Sequence, residues 1–209
     1  MKRWLAAGAL ASMMAVSTMA ADSVWKVDPN NSAVQFVVRH LGISNVQGDF
    51  TKISGTVHLD DGDISKSSVT ASVEMSSIDT RVTARDNDLK SEKFFDVTKF
   101  PTMTFESTKI WSTGDGKAKM AGNLTLHGVT KEVVFDVAGP TPAINQNGTM
   151  RRGAEATATI NRNDFGITAD PIIVGDDVNI TLDIEITQPG TGGAPAPTPN
   201  KSESAAPNS

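Results

Sequence analysis

Three histidines, His40, His58 and His127, are the residues of this chain best suited to metal or proton chemistry, and they share no metal-ligand spacing. His58 falls out of phase with Val57 and Leu59 and is expected to face solvent, while His127 sits in a turn. His40 is in phase with Phe36 and Val38 and is expected to point inward. A structural histidine is the plain reading of it, and an axial haem or metal ligand the sharper one. The acidic run Asp60, Asp61 and Asp63 lacks the spacing and closing glutamate of a calcium loop, so a hairpin turn explains it better. There is no cysteine and no strand-turn-helix serine motif, so nucleophilic catalysis has no visible carrier. Arg85 with Asp86, and Arg162 with Asp164, could form ion pairs of the kind that contributes little at a surface. The Asn-x-Ser/Thr triplets at Asn123 and Asn179 fall in mid-strand and read as chance. No catalytic group, metal or cofactor is expected.

The elements that would position these residues are strands. From Ser32 onward apolar residues recur at every second position, the period of a strand with one buried face. Val34, Phe36 and Val38 share a face, as do Val57 and Leu59, and then Val69, Ala71, Val73 and Met75. Met103 and Phe105 follow, then Ala118, Met120, Gly122, Leu124 and Leu126, then Val133, Phe135 and Val137. The clearest row is Val178, Ile180, Leu182, Ile184 and Ile186. Turn residues at "DDGD" (60–63), "GDGK" (114–117), "HGVT" (127–130) and "NQNG" (145–148) predict hairpins. With 154–160 as a further strand there are about eight, which predicts an all-β antiparallel up-and-down barrel or a sandwich. Small inward residues (Ala71, Ala118, Gly122, Ala154, Ala156 and Ala158) beside large ones (Phe36, Phe105 and Phe135) tilt the choice toward a barrel with a cavity. Interdigitation that fills the interior remains open.

One segment breaks the period. "ARDNDLKSEKFFDVTKFP" (84–101) carries eight charged residues and three phenylalanines. Thr80 is expected to cap a short helix there, with Val82, Arg85, Asp86 and Leu89 on one stripe and an end near Ser91. Phe94 and Phe95 are adjacent, so at least one should face the interior, and Phe100 is expected to turn back with it. Arg85, Asp86, Asp88 and Lys90 are expected toward water or paired.

Both ends of the chain read differently from the middle. Lys2 and Arg3 precede an apolar run from Trp4 to Val16 that closes in small residues, the pattern of a cleaved secretory signal peptide over residues 1–20. Its removal leaves 17 basic against 24 acidic residues, which disfavours nucleic acid as a partner. Transient membrane contact remains compatible with this charge. The absence of cysteine is acceptable in an exported domain large enough to bury its own core, and the bacterial periplasm is the expected compartment. Residues 190–209, rich in Pro, Gly, Ala and Ser, are expected to be a disordered tail, leaving one domain over 21–189.

The motifs "WKVDPNNSAVQFVVRHLGISNVQGDF" (25–50), "SIDTRVTARDNDLKSEKFFDVTKFPTMTF" (77–105), "GNLTLHGVTKEV" (122–133) and "INRNDFGI" (160–167) resemble the YceI-like polyisoprenoid-binding family. The resemblance implies an eight-stranded lipocalin-like barrel with a short helical insertion and an apolar internal cavity, exported to the periplasm and holding an isoprenoid or other long-chain lipid. The family pattern H-x-G-x-S-x-V-x-G-x-F is present as His40, Gly42, Ser44, Val46, Gly48 and Phe50. Asp88 stands where a histidine is common, which puts any head-group role of that histidine in doubt here. The implied cavity lining is Phe36, Val38, His40, Phe50, Ala71, Val73, Phe94, Phe95, Phe100, Phe105, Met120, Leu124, Phe135 and Phe165. A non-catalytic carrier, with a homodimer compatible, is the first functional reading. A redox or enzyme accessory protein acting on a bound quinone or pigment is the alternative.

Overall fold

A computed structural model describes residues 23–190. The expected signal peptide and all but the first residue of the expected tail lie outside the described residues. The strands are β1 (Ser23–Val27), β2 (Ala33–His40), β3 (Ser44–Phe50), β4 (Ile53–Leu59), β5 (Ser68–Glu74), β6 (Ile78–Asp79), β7 (Thr102–Gly114), β8 (Lys117–Leu126), β9 (Val129–Ala138), β10 (Ile144–Gln146), β11 (Thr149–Asn161) and β12 (Val174–Pro189), with one α-helix, α1 (Thr83–Lys90), between β6 and β7. All pairings are antiparallel.

Twelve strands make eight staves, because four staves are broken in the middle. β1 and β2 run in turn along β12, β4 and β3 run along β1 and β2, β5 and β6 run along β4 and β3, and β9 and β10 run along β11. β7 and β8 complete the meander, and β11 pairs with β12 to close it. The result is an eight-stave up-and-down barrel in which neighbours in sequence are neighbours in space.

The turn chemistry explains the meander. Asp115 and Gly116, His127 and Gly128, and Asn147 and Gly148 all have positive φ, the geometry that two-residue hairpins need to match strand twist. The alternating rows then turn inward together. Val34, Phe50, Ile53, Val73, Met120, Leu124, Phe135, Ala156 and Ile160 belong to one buried cluster, against which Phe36, Phe105, Val178, Ile180 and Leu182 pack. Trp25, Leu59 and Ile186 form a second cluster. There Arg152 lies 5.2 Å from the centre of the Trp25 ring.

The helix begins later than expected, with Val82 at its N-cap and no side-chain cap. Thr80 is buried and works in the opposite sense. Its N–H and its hydroxyl both donate to Asp86 Oδ1, at 2.8 and 2.6 Å, and Arg85 donates to its hydroxyl and carbonyl oxygens. The helix therefore caps Thr80 with its own side chains. Val82 is exposed and leaves the expected stripe.

The break between β1 and β2 is held by charge. Asp28 donates its N–H to the Glu185 carbonyl on β12, and Arg151 on β11 donates to both the Asp28 and Glu185 carboxylates. The Asn30 N–H, then the Asn31 amide and Arg151, hold the Asp28 carboxyl below its ordinary value. Hydrogen bonds from Ser76 and Lys52 do the same for Glu74, and from Ser65 for Asp63. A carboxylate whose folded value is depressed contributes stability that is present above its unfolded value, near 3.8 for Asp28, and lost as pH falls through the folded one. The melting temperature should accordingly fall as pH is lowered through about 4 and below, and Asp28→Asn should flatten that acid limb while leaving the neutral-to-basic part parallel to the parent. Thermal melts followed by circular dichroism across the acid range check this, and an unchanged acid limb in the variant would contradict it.

Candidate functional site

Inside the staves lie two adjoining cavities. The larger, about 180 Å³, runs between the inner faces of β4, β5, β7, β8, β9, β11 and β12. The smaller, about 100 Å³, lies between β2, β12 and the insertion after β6. Val34, Met103 and Ile180 face both, so the two adjoin at these side chains. The walls are almost wholly hydrocarbon. The buried polar side chains on them, Ser67 and Arg162, are both already engaged: Ser67 Oγ accepts from the Asp60 N–H at 3.0 Å.

Arg162, read from the sequence only as a surface ion-pair partner, is a buried part of the wall. It is 4% exposed. Its Nε donates to the Gly175 carbonyl, its Nη1 to the Ile167 and Ala169 carbonyls at 2.8 and 2.7 Å, and its Nη2 to the Val174 carbonyl and, at 3.4 Å, to Asp176. A guanidinium has five N–H donors, and here each has an acceptor. The expected pairing with Asp164 is corrected: the partners are the carbonyls of the turn after β11 and of the irregular start of β12, where the register with β2 shifts between Val174 and Val178. Arg162 ties those two segments together at one wall of the smaller cavity. Its signal was in the sequence, since Arg162 continues the inward row Ala154, Ala156, Ala158, Ile160 at period two.

Of the expected lining, Ala71, Val73, Phe105, Met120, Leu124 and Phe135 lie on the wall of the larger cavity. Phe36, Val38, Phe50, Phe94 and Phe95 lie on the smaller. Both phenylalanines of "KFFD" reach it, because the backbone there is a run of turns: Phe94 N–H donates to Ser91, Phe95 N–H reaches back to Leu89, and Asp96 has a φ of 44°. Rings of Phe36, Phe50 and Phe95 form a chain with centroids 5.8 and 6.1 Å apart.

Three expectations are corrected. His40 is the last residue of β2, opposite Val174 and Ser44, and lines neither cavity, although its neighbour Val174 lines the smaller one. Phe100 packs outside both, with its ring 4.6 Å from that of His127 and against the Gly128 backbone. Phe165 is almost fully buried in the short turn after β11 and fills the core beside the cavities rather than facing them. Asp88 points away from both as well. It pairs with Lys93 at 3.7 Å, and Lys93 pairs with Asp170 at 2.6 Å, which raises the Lys93 ammonium above its ordinary value. Among the described residues no cluster of three His, Asp or Glu side chains is placed to hold a metal.

The YceI-like domain model matches residues 25–186, which spans every stave of the barrel. The chain belongs to the YceI-like family. A UPF0312 protein of Vibrio cholerae is 35% identical over 169 residues, covering 80% of this chain and 89% of that protein. The YCEI protein of Campylobacter jejuni has the same fold, with a TM-score of 0.65 and 30% identity over 72% of this chain and 89% of that one. A polyisoprenoid binding domain from Saccharophagus degradans shares the fold at a TM-score of 0.59 and 13% identity, over 79% of this chain and 98% of that one.

In this YceI-like barrel Arg162 is expected to be a structural requirement. Arg162→Lys keeps the charge but has only three donors for five acceptors, and unpaired buried carbonyls cost about 1–3 kcal/mol each. The variant should lose at least about 2 kcal/mol in urea unfolding. A loss below about 0.5 kcal/mol would show that water replaces the missing donors.

Proposed function

We propose that this protein is a periplasmic carrier that holds one long apolar chain along the barrel axis: a polyisoprenoid, the tail of an isoprenoid quinone, or a fatty acyl chain. The observation that carries the proposal is the pair of adjoining hydrocarbon-lined cavities sharing Val34, Met103 and Ile180. Each is smaller than the roughly 300–1,000 Å³ common for compact ligands, and together they suit a slender chain better than a fused ring system. The Saccharophagus degradans protein of the same fold is a polyisoprenoid binding domain, which supports the same class of ligand. Export rests on residues 1–20, with their basic start, apolar run and small residues before Ala21.

The reading is of binding without catalysis. Ser67 and Arg162 are engaged with the wall, so a chain in the lumen meets hydrocarbon and gains about 25 cal/mol per Å² of apolar surface removed from water. Any polar head group is left to the cavity mouth or to solvent.

Protein purified without detergent from its native host, extracted with organic solvent and analysed by mass spectrometry, should yield a single class of lipid at about one molecule per barrel. Delipidated protein should take up polyprenols, quinones or fatty acids and melt at a higher temperature with them. Lipid-free protein on repeated isolation, together with no uptake of any of the three, would contradict the proposal.

A further inference from the structure

A closed eight-stave barrel is just wide enough for its interior to be filled by side chains, so an open bore needs a place to put its large residues. Two phenylalanines are accommodated in the same way. A Cβ added at Gly48 would lie 2.5 Å from Phe36 Cζ and 2.6 Å from Cε1, and one added at Gly122 would lie 2.3 Å from Phe105 Cζ. Phe36 stands directly opposite Gly48 across β2 and β3, whereas Phe105 lies diagonally over Gly122 across β7 and β8. Phe105 lines the larger cavity and Phe36 the smaller. Each ring tip thus occupies the volume that a side chain on the neighbouring stave would fill, and lies along the wall rather than across the lumen.

We propose that these two glycine notches set the bore of the lumen, and that Phe36 on Gly48 and Phe105 on Gly122 thereby determine how long an apolar chain the barrel accepts. The proposal rests on the lipid-carrier reading and adds the residues that give it length selectivity. The sites differ in one useful respect. At Gly122 an added methyl also meets the Glu106 carbonyl oxygen at 2.6 Å, a backbone atom that cannot step aside, whereas at Gly48 its nearest contacts are side-chain atoms, the Phe36 ring and, at 2.9 Å, the Thr80 methyl. Gly48→Ala therefore turns the Phe36 ring toward the smaller cavity, because its tip is free to swing while Thr80 is held by Asp86 and Arg85 and gives little.

The test is a ladder of saturated fatty acids and a second ladder of prenols, each of increasing length, titrated into delipidated parent, Gly48→Ala, Phe36→Leu and the double variant. In the parent, affinity rises with length to an optimum. In Gly48→Ala that optimum moves to shorter chains, and affinity for chains at the parent optimum falls about fourfold for each methylene no longer buried. Phe36→Leu moves the optimum to longer chains, and the double variant returns toward the parent because the shorter side chain clears the added methyl. If Gly48→Ala and Phe36→Leu both keep the parent's length profile, the notches are only wall packing and the proposal is overturned while the carrier reading stands. If Gly48→Ala fails to fold, Phe36→Leu decides alone by the same criterion. A parent that binds no member of either ladder overturns both.

Discussion

Closure of the sheet through β12 is the constraint on which the rest of this structure depends. An open eight-stave sheet would leave two rows of unpaired backbone groups and an inner apolar face that could collapse onto itself. β12 removes both edges, pairing with β11 over residues 149–161 and with β2 and β1 along its other side. With every stave fixed by its neighbours, the inward rows face one another across a lumen that they do not fill. Interiors normally reach crystal-like density, so two cavities of about 180 and 100 Å³ survive here because the wall is held by hydrogen bonds around its circumference.

Polar chemistry is spent on joints rather than in the lumen. Arg151 with Asp28 and Glu185 holds the break between β1 and β2, Arg162 holds the irregular start of β12, and Asp86 with Arg85 holds Thr80 at the start of the insertion. Each joint lies where a stave bends or ends and backbone groups lose their ladder partners. The insertion has a matching division of labour. Its charges stay outside, and Leu89, Phe94 and Phe95 supply wall to the smaller cavity.

Much of this was legible in the sequence because two signals are local. Period-two alternation placed the rows on β2, β5, β8 and β12 on the correct face, and Asp-Gly, His-Gly and Asn-Gly pairs marked the turns that force sequential pairing. The breaks at 51–52 and 75–77 were not legible, since Thr51, Lys52, Ser76 and Ser77 suit a strand as well as a bend and Met75 continues the inward row, whereas "DPNNS" (28–32) and "GPTPA" (139–143) carry turn residues that marked where a strand stops but not that the next strand continues the same stave. His40 was misplaced for a related reason: alternation says which side a residue faces, not whether it reaches the cavity. Phe94 and Phe95 were argued from a regular backbone that the turns at 91–96 do not have, and Phe100 and Phe165 lie where no period applies. Arg162 was read as a surface partner of Asp164 because its neighbour in sequence offered an opposite charge, while the carbonyls it actually binds are brought to it only by the fold. Whether the small inward residues leave room or are filled by large ones depends on pairs across staves such as Phe36 with Gly48, which strand pairing alone brings together.

The central claim, that an apolar chain lies inside the barrel, is tested most directly by titrating the protein with a fatty acid carrying a nitroxide on its chain and following side-chain methyl resonances. The account predicts that methyls on the two walls, Ile53 and Leu182 in the larger cavity and Val174 in the smaller, broaden strongly, while those of exposed Ile43, Ile144 and Ile172 keep their intensity. Broadening confined to the exposed methyls would place the chain on the outside of the barrel and contradict it.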